Sequence, residues 1–176
     1  MNTTTSDNYD FLVYESDYIK NHYIEIRDIC IDVSERFKCN TDNYYEYNIF
    51  SLTATSMHFY YMLKELVNVI KMYNDFKDEP LWFQSWTNVH KQSEVLDWHN
   101  HNWDIHGYIC IDPKDSITKF LNYEIHNKIG CIYIGPCDRQ HKVVVSSDYS
   151  DKRVTIGFDV TRKRNMDGNK SLIPIL

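Results

Sequence analysis

The chain has 176 residues, a formal net charge of -6, 43% hydrophobic residues and 25% charged residues. This length and composition predict one soluble globular domain over residues 1–176 and argue against a disordered chain. No apolar run approaches the roughly 20 residues of a membrane-spanning helix, and the N-terminus lacks the apolar stretch of a signal peptide. We therefore expect a cytoplasmic protein, in the host cytoplasm if the source is viral, with no membrane contact. The negative charge argues against nucleic acid as a partner.

The N-terminal half combines strand-like runs with one clear helix. The runs YDFLVYES (9–16) and YYEYNIFSL (44–52) are rich in β-branched and aromatic residues, which predicts strands. The segment 18–40 fits short alternation and a helical period equally well, so both structures stay open. Residues 53–76 give the clearest helical pattern, because apolar residues recur at alternating spacings of four and three. These residues are Phe59, Leu63, Leu66, Ile70 and Tyr73. Such a helix needs a surface to cover, and we predict a packing role for it.

After Pro80 the pattern changes to short strand-like runs separated by Asp, Pro, Gly, Asn and Ser. The runs are LWFQSWTNVH (81–90), LDWHNH (96–101), HGYICID (106–112), SITKFLNYEI (116–125), GCIYIGP (130–136), HKVVVS (141–146) and KRVTIGFDV (152–160). Many short strands bounded by turn residues are typical of a sandwich, a jelly roll or a barrel. The closing run SLIPIL (171–176) is predicted to dock on the surface.

The segment LDWHNHNWDIHGYICID (96–112) contains three of the chain's 8 histidines. In an extended strand alternate side chains share a face, so the rings of His99 and His101 should point the same way. His141 opens a later strand-like run and is a candidate third ligand. Imidazole suits Fe, Zn, Cu and Ni, and three ligands on one face leave other coordination positions open. Open positions favour a catalytic metal over a structural one.

These residues carry a resemblance to a known enzyme family. The runs SWTNVHKQSEVLDWHNHNWDIHGYICID, GCIYIGPCDRQHKVVV and KRVTIGFDV resemble the Fe(II)/2-oxoglutarate-dependent oxygenases of the phage and bacterial type, within the cupin-like double-stranded β-helix superfamily. In that family an H-x-H segment leads into a small residue, a glycine and an aromatic strand, and a late histidine and an arginine follow. The resemblance covers about residues 82–160, which would form the metal-site core.

The resemblance implies roles for five residues. His99 and His101 stand in the places of the first two iron ligands, and His141 stands in the place of the distal ligand. Arg153 stands where such enzymes keep the basic residue that binds the distal carboxylate of 2-oxoglutarate, and a planar guanidinium suits a carboxylate. Thr155 lies on the same strand face and resembles the hydroxyl partner of that arginine. The implied cofactors are Fe(II) and 2-oxoglutarate.

The chain departs from the family at one ligand position. The usual site has two histidines and one carboxylate, with the acid two residues after the first histidine, where this chain has His101. Asp104 is the nearest acid, and it shares a face with His99 only if the strand bends before it. His106 stands in the place of the cupin glutamate. Three histidines, four histidines and a His/Asp/His set all stay open, and loss of the carboxylate raises the positive charge at the metal.

The last strand-like run has two distinct faces. One face carries Arg153, Thr155, Gly157 and Asp159, and the other carries Val154, Ile156, Phe158 and Val160. In a double-stranded β-helix the polar face would line the metal cavity and the apolar face would pack against the helical cover. An edge strand with a solvated polar face is the alternative. We predict a mainly β fold with α cover: a double-stranded β-helix (jelly roll/cupin-like) with N-terminal helices.

The sequence supports three functions. The leading one is an Fe(II)/2-oxoglutarate-dependent dioxygenase that hydroxylates or demethylates a small-molecule or peptide substrate. The second is a cupin-type metal-dependent dioxygenase or isomerase that works without 2-oxoglutarate, for which Arg153 would be dispensable. The third is a non-catalytic β-sandwich binding module whose surface would use the 14 tyrosines and 4 tryptophans. The sequence predicts neither the substrate nor the oligomeric state.

Overall fold

The computed structural model describes residues 3–5, 10–39, 43–75, 77, 79–92, 94, 96–163 and 171–175. The helices in these ranges are α1 (Asp17–Phe37), α2 (Ile49–Leu52) and α3 (Met57–Tyr73). The strands are β1 (Thr3–Thr5), β2 (Leu12–Glu15), β3 (Leu81–His90), β4 (Ile105–Asp112), β5 (Ser116–Phe120), β6 (Glu124–His126), β7 (Cys131–Pro136), β8 (His141–Val145), β9 (Arg153–Thr161) and β10 (Ile173–Ile175).

The strands form two antiparallel sheets. The larger sheet has seven strands in the order β1-β2-β7-β4-β9-β3-β10, and the smaller has three in the order β6-β5-β8. The prediction of a mainly β fold is confirmed. The closing run does dock, because β10 pairs with β3 through residues 173–175. Leu176 lies outside the described residues.

The two faces of the large sheet bury different side chains. On β9, Val154, Ile156, Phe158 and Val160 belong to a large apolar cluster that also contains buried residues of α1 and α3. Alternate residues on the neighbouring strands point the opposite way. Tyr108, Cys110, Cys131 and Tyr133 pack with Phe120 of the small sheet in a second cluster. The helices therefore cover one face of the large sheet, and the other face looks toward the small sheet.

The helical cover settles the segment that the sequence left open. Residues 18–40 lie mostly in α1, which begins after Ser16, whose hydroxyl oxygen accepts a hydrogen bond from the Ile19 amide at 3.1 Å. The predicted helix over 53–76 is observed as α3, four residues shorter at its N-terminal end and three shorter at its C-terminal end. Its buried side chains face the sheet, which gives the amphipathic pattern its surface.

Two of the strand predictions are wrong. The run 44–52 is a turn followed by α2, because the Asn48 side chain accepts a hydrogen bond from the Phe50 amide and caps a helix. The Asn48 amide also donates to the Phe83 carbonyl on β3, which anchors the cap in the core. The run 96–101 is not a regular strand, because its one ladder pair joins His99 to His141.

We expect Gly107→Ala to destabilise the fold strongly. A methyl group at Gly107 would overlap the ring of Phe158 and the backbone carbonyl oxygen of Tyr133. The carbonyl cannot rotate away as a side chain can, so we expect the free energy of unfolding to fall by about 3 kcal/mol, the upper end for overpacked cores. Urea unfolding would measure the loss. Lys119→Ala on β5 is the control, expected to change stability by about 0.5 kcal/mol or less. An equal effect at the two sites would contradict the close packing.

Candidate metal centre

Backbone pairing brings the predicted histidines together. The His99 amide donates to the His141 carbonyl at 3.0 Å, and the His141 amide donates back at 2.9 Å. The His101 amide donates to the Cys137 carbonyl at 3.0 Å. The irregular segment that carries His99 and His101 thus runs beside the start of β8, where His141 stands. The three rings therefore meet at the edge of the small sheet.

The rings converge closely enough to share one ion. One ring nitrogen of each of His99, His101 and His141 lies within 4.8 Å of those of the other two. The His99 and His141 ring centroids are 4.3 Å apart. The His101 and His141 rings are parallel within 6°. Nitrogen ligands bind transition metals at about 2.1 Å, so small ring adjustments would bring all three onto one ion.

Hydrogen bonds fix which nitrogen of each ring is free. The Nδ1 atoms of His99 and His141 lie 2.7 and 3.0 Å from the carbonyl oxygen two residues before each ring. The Nδ1 atom of His101 lies 3.1 Å from a carboxylate oxygen of Asp159. An acceptor at Nδ1 holds the ring proton there, which leaves the Nε2 lone pair for a metal. All three rings are therefore set in the same tautomer.

The residues fit a transition metal. The Nε2 atom of His101 is buried and has no hydrogen-bond partner, and such an atom is costly unless a ligand satisfies it. Burial lowers the pKa of His141 to about 2, and burial also lowers the pKa of His99. The neutral imidazole is the form that binds metal. Three imidazole nitrogens suit iron and its neighbours in the first transition row.

The structure separates the two further ligand candidates. The Asp104 carboxylate accepts a hydrogen bond from the Arg162 amide at 2.8 Å and lies 3.6 Å from the Arg162 guanidinium. Its oxygens are engaged by Arg162, and it is not among the groups whose ligand atoms converge. His106 lines the same cavity as the rings, but its Nδ1 atom lies 2.8 Å from Asp159 and its ring stacks on His101 with centroids 3.7 Å apart.

Asp159 is the site residue to which the sequence assigned no role. Its side chain is fully buried on β9, and each carboxylate oxygen accepts a hydrogen bond from a different ring, His101 or His106. Burial raises the pKa of Asp159, but the hydrogen bonds from the two rings outweigh burial, so the pKa lies below its usual value. An ionised carboxylate therefore lies on the Nδ1 side of the His101 ring, behind the three converging rings. The available signal was its place on the polar face of the last strand-like run.

Arg153 lies in the same cavity as the three rings. The cavity has a volume of about 400 Å³, and Arg153, Thr155 and the three predicted ligands all line it. The Nη2 atom of Arg153 lies 2.6 Å from Nδ1 of His90. Burial and the adjacent guanidinium lower the pKa of His90 to about 4, so His90 is neutral and accepts this hydrogen bond.

Arg153 has the character of an anion-binding residue. It is 2% exposed, its Nε atom has no hydrogen-bond partner, and among the described residues no carboxylate forms an ion pair with it. A buried charge without a counter-ion is unfavourable, and a carboxylate ligand would compensate it. Thr155 lies two residues along β9 and accepts a long hydrogen bond from the Asn88 amide at 3.4 Å. The structure thus places both predicted cofactor-binding residues in the cavity.

Solved structures with the same fold include several oxygenases. SnoK, an alpha-ketoglutarate-dependent carbocyclase of nogalamycin biosynthesis, is 8% identical with a TM-score of 0.62, covering 90% of this chain and 84% of SnoK. A Pseudomonas putida prolyl-4-hydroxylase is 10% identical with a TM-score of 0.59, covering 89% and 90%. HygX from Streptomyces hygroscopicus, with nickel and 2-oxoglutarate bound, is 12% identical with a TM-score of 0.52, covering 94% and 89%. The chain shares the fold of these proteins.

Sequence comparisons add no closer relative. No protein-family model and no curated protein matches the chain. Within the described residues, no helix has the length and apolar character needed to cross a membrane. The case for a function therefore depends on the geometry of the cavity and on the shared fold.

Several other residues of the cavity wall are aromatic or carry amides. Trp86 stacks near His101, with ring centroids 5.7 Å apart and planes inclined by 23°. Tyr44 and Trp103 also line the cavity, together with the amide side chains of Asn100 and Asn102. These walls can exclude water from the rings while they leave neutral polar contacts for a ligand.

Proposed function

We propose that this chain is an Fe(II)/2-oxoglutarate-dependent dioxygenase that hydroxylates or demethylates a small-molecule or peptide substrate. The observation that carries the proposal is one cavity with two complementary features. Three imidazole nitrogens converge at one place, and a buried guanidinium, to which the described residues supply no carboxylate counter-ion, lies elsewhere on the wall. A metal ion and a dicarboxylate co-substrate would satisfy both features. The fold shared with SnoK and HygX supports the same class of enzyme.

The proposal includes a double-stranded β-helix over residues 1–176. The central strands of the large sheet follow the order β7-β4-β9-β3, and the small sheet has the order β6-β5-β8. The segment at His99 continues the small sheet through its pair with β8. With that segment included, the eight strands from β3 to β9 alternate between the sheets in chain order up to β5 and again from β6 to β9, and only the neighbours β5 and β6 share a sheet. Such alternation winds the chain into two facing sheets with a cavity between them.

Each site residue has a distinct task in the proposed enzyme. His99, His101 and His141 would hold Fe(II) through Nε2, because their Nδ1 atoms are already engaged. Arg153 would bind the distal carboxylate of 2-oxoglutarate, and Thr155 would add a hydroxyl contact. Bound iron would supply the dioxygen chemistry, with 2-oxoglutarate as the electron source. The aromatic wall would hold the substrate beside the metal and exclude water.

One observation favours a second candidate. The converging ligands are all imidazoles, whereas the common iron site of oxygenases contains a carboxylate. A cupin-type dioxygenase or isomerase that uses the metal without 2-oxoglutarate would have such a site. In that case the cavity would not bind 2-oxoglutarate, and Arg153 would be dispensable for activity. Arg153 is buried without a carboxylate partner among the described residues, and for that reason we place this candidate second.

Anaerobic titration of the purified protein with Fe(II), and then with 2-oxoglutarate, tests the proposal. We expect stoichiometric iron binding, followed by a weak visible charge-transfer band as 2-oxoglutarate chelates the metal. Zn(II) in place of Fe(II) is the control, since it binds imidazole but gives no such band. Iron binding without the band would favour the second candidate. Failure to bind iron or Zn(II) would favour a non-catalytic β-sandwich module.

A further inference from the structure

We propose that Asp159 is a positioning residue that supplies, through His101, the negative charge missing from the three-histidine ligand set. The inference rests on the proposed function, because it requires a divalent metal on His99, His101 and His141. Among the residues that the structure describes, Asp159 is the one carboxylate hydrogen-bonded to a predicted ligand ring, and the inference assigns it a task. The chain would thus keep the charge of a two-histidine-one-carboxylate site while it moves the carboxylate behind the ligand.

The Asp159 carboxylate is hydrogen-bonded to two histidine rings. Its Oδ2 atom lies 3.1 Å from Nδ1 of His101, and its Oδ1 atom lies 2.8 Å from Nδ1 of His106. These are hydrogen-bond distances, and both rings present Nδ1 to the carboxylate. Asp159 and the two rings therefore form a hydrogen-bonded unit on the Nδ1 side of His101, opposite the Nε2 atom that is left for the metal.

Asp159 and His106 together fix the orientation of the His101 ring. The His101 and His106 rings stack with centroids 3.7 Å apart and planes inclined by 15°. Because both rings donate to the same carboxylate, Asp159 cannot rotate without losing one of them. His106 therefore braces the carboxylate, and the carboxylate holds the Nε2 atom of His101 toward the metal site. A hydrogen-bonded carboxylate behind a ligand histidine also raises the basicity of that ligand.

The Asp159 carboxylate would also lower the net charge around a bound metal ion. A divalent ion on three neutral imidazoles carries a net charge of about +2, whereas one carboxylate ligand would reduce it to about +1. Arg153 adds a further buried cation to the same cavity. Asp159 is fully buried, and so its charge is poorly screened by solvent and acts strongly on the neighbouring metal. An ionised Asp159 thus restores the net charge of about +1 to the buried unit.

Asp159→Asn is the direct test, because it removes the charge and keeps the size of the side chain. We expect the apparent dissociation constant for Co(II), measured by visible absorption, to rise by about 10- to 100-fold, as for other residues that support a metal ligand. The Co(II) absorption bands should shift as well, since the donor strength of His101 changes. Asp104→Asn is the matched control: its carboxylate pairs with Arg162 outside the site, and we expect unchanged Co(II) affinity.

The double variant His101→Asp/Asp159→Asn separates a charge effect from a structural one. It moves the carboxylate into the ligand position, so Co(II) affinity should recover to within about tenfold of the wild type. If Asp159 only supports packing, the double variant will bind no better than Asp159→Asn.

The outcomes distinguish this inference from the function on which it rests. A wild-type protein that does not bind Co(II) would contradict the proposed metal site itself. A wild type that binds Co(II), with Asp159→Asn equally tight and spectrally identical, would overturn the role of Asp159 alone. If Asp159→Asn does not fold, His106→Asn decides, because it removes the ring that braces the Asp159 carboxylate. Unchanged Co(II) affinity and an unchanged spectrum in that variant would overturn the inference.

Discussion

His141→Ala should abolish stoichiometric metal binding. The residue would supply one of three ligands, and its Nδ1 atom is engaged by a backbone carbonyl that orients the ring. Removal of a direct ligand should weaken Co(II) or Fe(II) binding by more than the roughly 100-fold that loss of a supporting residue costs. Isothermal titration of the chelator-treated protein would measure it. The backbone pair between positions 99 and 141 survives the substitution, so we expect the variant to fold.

Thermal unfolding gives a second measure of the same loss. Metal at 100 times its dissociation constant should stabilise the wild type by about 2.7 kcal/mol. For a chain of this length that corresponds to a rise in Tm of about 5 to 10 °C. His141→Ala should show no such rise. His126→Ala is the matched control, because that histidine is exposed on β6 and lies outside the cavity. A metal-dependent rise that survives in His141→Ala would contradict the assigned ligand set.

The β region could be predicted from the sequence because its signals are local. The run 81–90 coincides with β3, and the alternation in 153–160 describes both faces of β9. Strand side chains have a period of two, so a buried face and a cavity face can be identified without knowing the partner strand. The helix at 53–76 was equally clear, because one side of it packs on the sheet.

The failures lie where distant contacts override local preference. The run 44–52 is rich in aromatic residues, but Asn48 forms a helix cap and also bonds to Phe83 and Ser85 on β3. Those contacts join positions that are 35 and 37 residues apart. The segment 18–40 is another case, because its helical side is defined by the sheet that it covers. No pattern within either segment contains this information.

The site also contains residues that local sequence patterns predict and residues that they do not. The H-x-H spacing and the late histidine were sufficient to predict three rings that the structure does bring together. The partners of those rings were beyond the sequence, since Asp159 lies 58 residues from His101 and His90 lies 63 residues from Arg153. Which carboxylate or histidine contacts a residue so far away depends on the strand register, here the pairing of β9 with β4 and β3.

Arg153→Gln should weaken 2-oxoglutarate binding to the iron-loaded protein by about 30-fold or more. The guanidinium is buried, and no carboxylate in the described part of the chain pairs with it, so a bound dicarboxylate would form a desolvated charge pair with it. Removal of one partner from such a pair costs about 2 kcal/mol or more, which is about 30-fold in Kd. Anaerobic titration of the visible charge-transfer band would measure Kd. Arg153→Lys should be intermediate, because lysine keeps the charge but loses the planar fork.

The stability of the same variant separates a binding role from a packing role. A buried cation without a counter-ion destabilises the ligand-free fold, so Arg153→Gln should keep or raise the Tm of the metal-free protein. Arg36→Gln is the matched control, because the exposed guanidinium of Arg36 pairs with Asp32 on α1 and does not line the cavity. This control variant should leave the Kd for 2-oxoglutarate unchanged. If Arg153→Gln lowers Tm and leaves that Kd unchanged, Arg153 is a structural residue and 2-oxoglutarate does not bind as proposed.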